Sequence, residues 1–401
     1  MSGSAPAPKK KKRRWLRRTL ISLGVGIPIV GLALWIAIHR VEWLGPWLAD
    51  TGRAIVGNDA IAWLEDTLYG VEDKYNLATK GDQAPTAHWE VPAEEPAPPP
   101  KTDKPLLYPV FTPKNVEPMH ASFAAPGDGK WVPMTDPHNP GEAAPLFKTL
   151  LHPDKKRGWA HVAIVAVDLR QVRLHLVAGL HEPMTKLPEA KALKRTGLIA
   201  EADLARALAA FNGGFKTTHG NYGMKAEGVL WVEPRGRSCT IAMYEKDALK
   251  IQSWEAIEAS RDSMTWFRQT PMCMYENGEM HKGLTVEENT HWGSTLDKDT
   301  VIRRSAVGLD ETGGILFVGI SEATTATAIA KAMNHAGAVN VAQLDVNWSF
   351  PKLVTIEADG KVKAIIDGFE YTDEDYVKKP MSRDFFYLTR KDPIEIPRAA
   401  P

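Results

Sequence analysis

An uncharged apolar stretch close to the N-terminus limits what this chain can fold into. Residues 19–38, TLISLGVGIPIVGLALWIAI, are about as long as a helix that crosses the hydrocarbon core of a bilayer. Residues 9–14 are all lysine or arginine, and such charges stay on the cytoplasmic side. No small-residue cleavage site follows at 39–43. The sequence therefore predicts a basic cytoplasmic tail over 1–18 and a signal anchor at 19–38.

This anchor makes the protein a single-pass protein of the cell membrane, with its C-terminal part extracytoplasmic, or periplasmic in a Gram-negative cell. Residues 39–80 carry apolar side chains at helical spacing, which indicates a juxtamembrane helical stalk. Residues 81–118 include PAEEPAPPPKTDKP, which is typical of an extended proline-rich linker. The folded domain is therefore predicted over residues 119–401.

The charge distribution argues against a nucleic-acid partner. Of the 401 residues, 44% are hydrophobic and 24% are charged, so one large domain can bury a sizeable core. The formal net charge is +0, and the basic block near the N-terminus precedes the apolar stretch. That placement concerns membrane topology, so the partner that the chain contacts through its N-terminal helix is the membrane.

Strand-like runs outnumber helical segments in the predicted domain. Two segments have helical character, EADLARALAA at 201–210 and TTATAIAKAMNHAG at 324–337, the second with Thr324 or Thr325 as N-cap and Gly337 as stop. The pattern predicts an α+β fold, with a mixed, mostly antiparallel sheet and few helices, behind one transmembrane helix and a Pro-rich linker. The strand-like runs lie at 160–169, 172–179, 228–233, 239–245, 300–310 and 314–320.

Cysteine usage and known motifs restrict the chemistry. Cys239 and Cys273 lie in the exported part, and they are compatible either with one disulfide or with two buried thiols. The chain has no CxxC, HExxH, EF-hand, P-loop or GxSxG pattern. We therefore predict no cofactor and no metal.

Two strand ends carry polar residues that need an explanation. In AAFNGGFKTTHGNYG an apolar run meets Asn212, Gly213 and Gly214, which indicates either a plain turn or a place where another group approaches the backbone closely. In VAQLDVNWSFPK an apolar strand ends in Asp345, with Asn347 and Trp348 just behind it. A carboxylate at a strand end is held rigidly. Taken singly, each motif is also typical of a solvated or turn-capping residue.

The ordered set of motifs resembles the phosphodiester glycosidase family over roughly residues 155–390. The segments are FNGGFK, YGMKAEGVLW, RQTPMCMYENGEM, HWGSTL, RRSAVGLDETGGILFVGIS and HAGAVNVAQLDVNW. Most members carry Asp-Gly-Gly at the second strand end, whereas this chain has Asp345-Val346-Asn347, similar to an exopolysaccharide-associated bacterial branch. The resemblance implies a membrane-anchored extracytoplasmic hydrolase that cleaves sugar phosphodiester or related glycan linkages.

The resemblance also implies roles for particular residues. Asp345, then Glu227, would be the carboxylates that glycosidases use at the anomeric carbon, and Asn212 completes the catalytic set. Gly213 and Gly214 would turn backbone N–H groups toward a phosphate. The implied cations that pair with phosphate are Lys216, Arg268 and Arg304, and the remaining substrate-binding residues are Phe215, Gln269, Asn347 and Trp348.

A second function class stays open at this point. The same fold would serve a non-catalytic protein that binds glycan or another envelope component, because a fold by itself gives no chemistry. The two classes differ at Asp345. An enzyme needs this carboxylate in a pocket that faces Asn212 and Arg304, whereas a binding module tolerates it buried in a salt bridge.

Overall fold

The structure is a computed structural model that describes most of the chain. The described residues are 55–81, 83–92, 107–285, 300–347 and 349–393, together with isolated positions between 26 and 52.

The chain divides at residue 65, and the unit Asp66–Pro401 contains the sheets and the candidate site. The predicted anchor at 19–38 lies outside the described residues except for a few isolated positions. Among the described residues, no helix has both the length and the apolar character that crossing a bilayer requires. The anchor and the linker stay predictions.

Between residues 58 and 390, the described residues form eighteen strands and four helices, with several short 3₁₀ turns. The helices are α1 (Asn58–Lys80), α2 (Pro188–Ala192), α3 (Trp254–Ile257) and α4 (Ala326–His335). The strands are β1 (Val132–Met134), β2 (Leu146–Leu151), β3 (Val162–Asp168), β4 (Val172–Val177), β5 (Ala207–Asn212), β6 (Met224–Ala226), β7 (Val229–Val232), β8 (Cys239–Tyr244), β9 (Leu249–Ser253), β10 (Met264–Thr270), β11 (Tyr275–Glu276), β12 (Glu279–Met280), β13 (Ile302–Leu309), β14 (Ile315–Thr324), β15 (Asn340–Val346), β16 (Leu353–Ile356), β17 (Val362–Ala364) and β18 (Phe385–Arg390).

The strands form three sheets. The first has the order β1-β2-β3-β14-β13-β15-β11-β12, the second β7-β6-β10-β8-β9 and the third β17-β16-β5-β18-β4. Every strand pair within these sheets is antiparallel. The expected α+β class with mostly antiparallel sheet and few helices is therefore confirmed for the described chain.

The centre of the first sheet is buried on both faces. Strands β3 and β13 are buried at every position, which explains why β3 is an almost continuous apolar run rather than an alternating one. Helix α4 packs across them, and the side chain of Thr325 accepts a hydrogen bond from the Ala328 N–H at 3.1 Å as its N-cap. Gly337, with a φ of 118°, follows the helix. This helix was predicted with both of its end signals.

The predicted helix at 201–210 is wrong. Glu201–Arg206 forms a 3₁₀ turn and Ala207 begins β5, which runs between β16 and β18. All six residues of β5 are buried. Alanine favours a helix in isolation, but here pairing with a strand on each side and complete burial outweigh that preference.

Cys239 and Cys273 are joined by a disulfide, so the first of the two open alternatives holds in this structure. The bond closes a loop of 34 residues and connects the start of β8 to the segment that follows β10. The disulfide therefore connects the start of β8 to the chain just beyond the end of its neighbour β10.

The segment 83–92 packs on the globular body. Trp89 packs against the main core cluster, and Nζ of Lys148 lies 4.4 Å from the centroid of its ring. The His88 ring lies 4.2 Å from that of His161, which also neighbours His152 at 6.0 Å. Burial and these two histidines lower the pKa of His161 to about 3, so this ring is neutral at physiological pH.

Candidate functional site

The ends of β5 and β15 meet where the first and third sheets join. Oγ of Ser305 lies 3.0 Å from Oδ1 of Asn212 and 3.2 Å from the carbonyl oxygen of Asp345. The Asp345 N–H donates to the carbonyl oxygen of Gly213 at 3.1 Å. The ladder between β13 and β15 shifts register at Ser305, which is how this hydroxyl reaches both strand ends. The structure thus brings together the two motifs that the sequence singled out.

The Gly-Gly turn after β5 is held by Asp384. The Gly213 N–H donates to the carbonyl oxygen of Asp384, and the Gly214 N–H donates to its Oδ2, both at 2.9 Å. A Cβ on Gly213 would overlap the Asp384 carboxylate, and one on Gly214 would lie 2.7 Å from Cζ of Arg268. Close approach therefore explains both glycines. Their N–H groups bind Asp384, in contrast to the expectation that they face a substrate phosphate.

Arg268 holds the Gly-Gly turn from the opposite side, and the neighbouring Gln269 holds the segment around Gly223. Nε of Arg268 donates to Oδ2 of Asp384 at 2.8 Å, and a second nitrogen donates to the carbonyl oxygen of Phe215 at 2.7 Å. Oε1 of Gln269 accepts from the Gly223 N–H at 3.0 Å. Both side chains are completely buried. Arg268 positions the Gly-Gly turn and Gln269 fixes the backbone at Gly223, whereas the sequence led us to expect substrate contacts from both.

Asp345 forms a buried ion pair with Arg383. Both side chains are almost fully enclosed, and the guanidinium of Arg383 contacts Oδ2 of Asp345 closely. In the described part of the chain, Oδ2 of Asp345 accepts no hydrogen bond of regular geometry. Nε of Arg383 likewise donates none there. Arg383 also donates to the carbonyl oxygen of Gly214 at 3.2 Å and lies over the Phe350 ring at 3.7 Å.

The environment of Asp345 gives its carboxyl group an unusual acidity. Burial raises its pKa to about 6, and the charge of Asp384 adds to that rise. The positive charges of Arg383 and Lys216 and the Val346 N–H oppose it. A carboxyl group with a pKa near neutrality exchanges protons easily at physiological pH, which is the property of a general acid or base.

Arg304 lies inside the first sheet. Its guanidinium donates to the carbonyl oxygens of Thr324 and Thr300, each at 3.1 Å, and to Oε1 of Gln343 at 3.0 Å. Burial lowers the pKa of Arg304 to about 9. These contacts connect β13 to its neighbours, so the geometry gives Arg304 a structural position beside the site rather than the phosphate contact expected from the sequence.

The remaining predicted substrate-binding residues surround the two strand ends. Phe215 is buried and its ring lies 6.0 Å from that of Tyr222, while Lys216 is half-buried just after it. Asn347 has a φ of 152°, which non-glycine residues rarely adopt, and its Oδ1 accepts from the Phe350 N–H at 2.8 Å. Trp348 lies outside the described residues.

Glu227 is not part of this cluster. It occupies the turn between β6 and β7 with a φ of 53° and is exposed there. Desolvation of its carboxyl group raises its pKa, and the charge of Arg195 opposes that rise. In the described part of the chain, no hydrogen bond or ion pair joins Glu227 to Asn212 or Asp345.

The sequence reasoning missed Arg383, which pairs with Asp345, and Asp384, which holds the Gly-Gly turn. Both precede β18 in the segment MSRDFFYL, where polar residues meet a strongly apolar strand. This is the pattern that singled out Asn212 and Asp345. The signal was present, but an Arg-Asp pair before a strand is also typical of a surface turn.

A cavity and the possible metal ligands of the described chain can be compared with this site. A cavity of about 50 Å³ lies elsewhere and is lined by Met134, Thr135, Asp136, Pro137, Pro145, Leu146, Leu208, Thr355, Ile356 and Glu357. Within the described ranges, no three histidine, cysteine or acidic side chains are grouped as a metal ion requires.

Comparison with known proteins gives a limited result. No family model matches the chain, and no curated protein matches it. Among solved structures, the chain is similar to the zebrafish N-acetylglucosamine-1-phosphodiester alpha-N-acetylglucosaminidase catalytic domain auto-inhibited by its pro-peptide, with 18% identity, a TM-score of 0.41, and coverage of 65% of this chain and 88% of that one. A hypothetical protein from Synechocystis has 12% identity and a TM-score of 0.34, covering 61% and 62%. Likeness at this level says nothing about activity or substrate.

Proposed function

We propose that this chain is a membrane-anchored extracytoplasmic hydrolase that cleaves a sugar phosphodiester or a related glycan linkage. Asp345 is the catalytic carboxylate in this proposal, and Asn212 orients the strand ends through Ser305. Lys216 keeps its expected role of pairing with the phosphate, and Arg383 takes that role in place of Arg268 and Arg304.

The observation that carries the proposal is the carboxyl group of Asp345, with a pKa of about 6, beside two cations. Phosphate is a good leaving group, so the reaction needs less acid assistance than an ordinary glycoside. What it needs is a carboxylate near the anomeric carbon and positive charge near the leaving group. A phosphate that binds Arg383 would compete with Asp345 for the guanidinium and free the carboxylate for the sugar.

One observation favours the alternative, a protein that binds glycan without cleaving it. Asp345 is only 2% exposed and is paired with Arg383, the arrangement that a binding module tolerates. An enzyme must open this pair when substrate enters. A hydrolase and a glycan-binding protein therefore differ in whether the ion pair between Asp345 and Arg383 separates when the ligand binds.

The test is hydrolysis of sugar 1-phosphodiesters by the purified protein. Asp345→Asn should lower kcat by about 10² to 10⁴ with little change in KM, because the carboxylate acts on charge that develops in the transition state. Arg383→Met should raise KM for a phosphodiester more than for an uncharged aryl glycoside. Glu227→Gln, on the exposed turn, should leave both constants near wild type.

Two results would reject the enzyme. Asp345→Asn with full activity would remove the proposed carboxylate. A wild-type protein that binds glycan by calorimetry, yet hydrolyses no sugar phosphodiester, would leave the binding module as the function.

A further inference from the structure

Helix α1 presents an apolar stripe that nothing in the described chain covers. Leu68 is 60% exposed, Val71 62% and Tyr75 67%, and Ala78 is exposed as well. Large apolar side chains in a row, each more than half exposed, are unusual on a monomeric soluble surface. The stripe therefore marks a surface that contacts something outside one copy of the described chain.

The spacing of this stripe is that of a coiled-coil seam. Leu68, Val71, Tyr75 and Ala78 are separated by three, four and three residues, which is the a and d pattern of a heptad repeat. In the sequence, Ile61 and Leu64 extend the same pattern toward the N-terminus of the helix. We call the stripe formed by Leu68, Val71, Tyr75 and Ala78 the α1 seam.

The opposite face of the helix is attached to the globular body. Asp73 lies at position f of the heptad, directly across from the α1 seam, and Arg157 donates to both of its carboxylate oxygens at 2.7 and 2.6 Å. Asn76, Leu77 and Lys80, at positions b, c and f, are half-buried. The globular body therefore contacts helix α1 on the face opposite the α1 seam, so the seam faces away from the body.

We propose that the α1 seam packs against the same seam of a second copy of this chain. A heptad seam is self-complementary, because the a and d residues of one helix fill the spaces between those of an identical helix. A lipid surface fits less well: the helix has five acidic residues against two lysines, whereas helices that lie on membranes carry mainly lysine and arginine on the polar face.

The two helices run in parallel. This orientation rests on the proposed anchor at 19–38, which makes two copies in one membrane enter the stalk from the same side. In a parallel pair, identical a positions face each other, so position 68 of one copy lies against position 68 of the other. Self-association through the seam does not itself depend on the anchor.

The experiment measures the mass of the full chain by sedimentation in a density-matched detergent over a concentration series. Wild type should sediment as a self-associated species. Leu68→Glu combined with Val71→Glu should raise the dissociation constant at least about 100-fold, because each association would bury four charges in an apolar seam. The control Val110→Glu combined with Leu193→Glu replaces two exposed apolar residues of the globular body and should behave as wild type.

Cysteine cross-linking checks the same contact without disturbing the seam. Leu68→Cys should form a disulfide between copies under mild oxidation, and Asn76→Cys on the body-facing side should not. Cys239 and Cys273 are bonded to each other and give no background. A monomeric wild type, or association that survives the double glutamate change, would overturn the proposal. A wild type that associates without the position-68 cross-link would reject the parallel orientation, which rests on the anchor.

Discussion

The ion pair between Arg383 and Asp345 makes a strong prediction about stability. Arg383→Met keeps much of the side-chain length and removes the charge, so the Asp345 carboxylate stays buried without its counter-ion. Removing one partner of a buried pair typically lowers the free energy of unfolding by about 3–5 kcal/mol. We expect a loss in that range at about pH 8, where Asp345 is ionised in the wild type.

The loss should shrink in acid, and the direction follows from the pKa. The folded pKa of Asp345 is raised, to about 6, above its unfolded value of about 3.9. Between about pH 3.9 and about pH 6, Asp345 therefore holds a proton in the folded state that it has lost in the unfolded state. The contribution of Asp345 to the free energy of unfolding falls as the pH rises through 6. In Arg383→Met the pKa rises further. At about pH 5 the Asp345 carboxyl group is mostly neutral in both wild type and Arg383→Met, so the loss of stability should drop to about 1–2 kcal/mol. The remaining loss comes from the missing hydrogen bond to Gly214 and from altered packing.

Urea unfolding followed by tryptophan fluorescence at the two pH values measures both losses. Other titrating groups are common to the two proteins, so their contributions cancel in the difference. Arg173→Met is the matched control. Arg173 pairs with Asp247 but is 47% exposed in its side chain, and its loss should be about 0–1 kcal/mol.

Two outcomes would refute this account. Equal destabilisation of Arg383→Met at both pH values would mean that Arg383 does not stabilise the Asp345 charge. A loss no larger than that of Arg173→Met would mean that the pair is open to solvent, and the raised pKa of Asp345 would lose its physical cause.

Three further predictions concern other parts of the molecule. Because His161 has a folded pKa of about 3, below its unfolded value of about 6.5, its protonation favours the unfolded chain, and the contribution of His161 to the free energy of unfolding should fall by about 2 kcal/mol between about pH 7.5 and about pH 5; in urea unfolding at these two pH values, the change in stability of wild type and that of His161→Leu should differ by this amount. Gly214→Ala should cost about 1–3 kcal/mol by urea unfolding, because its Cβ would strike Arg268, whereas Gly141→Ala, with open space around it, should be neutral or stabilising. Protease added to intact spheroplasts should cleave residues 119–401 if the proposed anchor is real, and protection of this region would reject it.

Local patterns predicted those features that depend on local chemistry. Helix α4 was recognised because Thr325 and Gly337 mark its ends within the sequence itself. Asn212 and Asp345 were expected together because polar residues at ends of buried strands are held rigidly, and Ser305 does join them. Both inferences required only the composition of short segments.

The misassigned features depend on partners far away in sequence. Arg268 looked free to bind a phosphate because its partner, Asp384, lies 116 residues later. The segment 201–210 looked helical because alanine favours helices, and only the strands on either side of β5 make it extended. A local pattern contains no information about which distant strand will occupy the neighbouring position.

The position of β18 has a consequence for the order in which the site is built. This strand is the last one in the described chain, yet it lies in the interior of the third sheet between β5 and β4, and Asp384 immediately precedes it. During synthesis the Gly-Gly turn emerges about 170 residues before the carboxylate that holds it. The turn, Arg268 and Asp345 therefore wait, unpaired, until β18 inserts. Closing contacts at such separations is slow, so the candidate site of a nascent chain should be complete only after this final strand has been inserted.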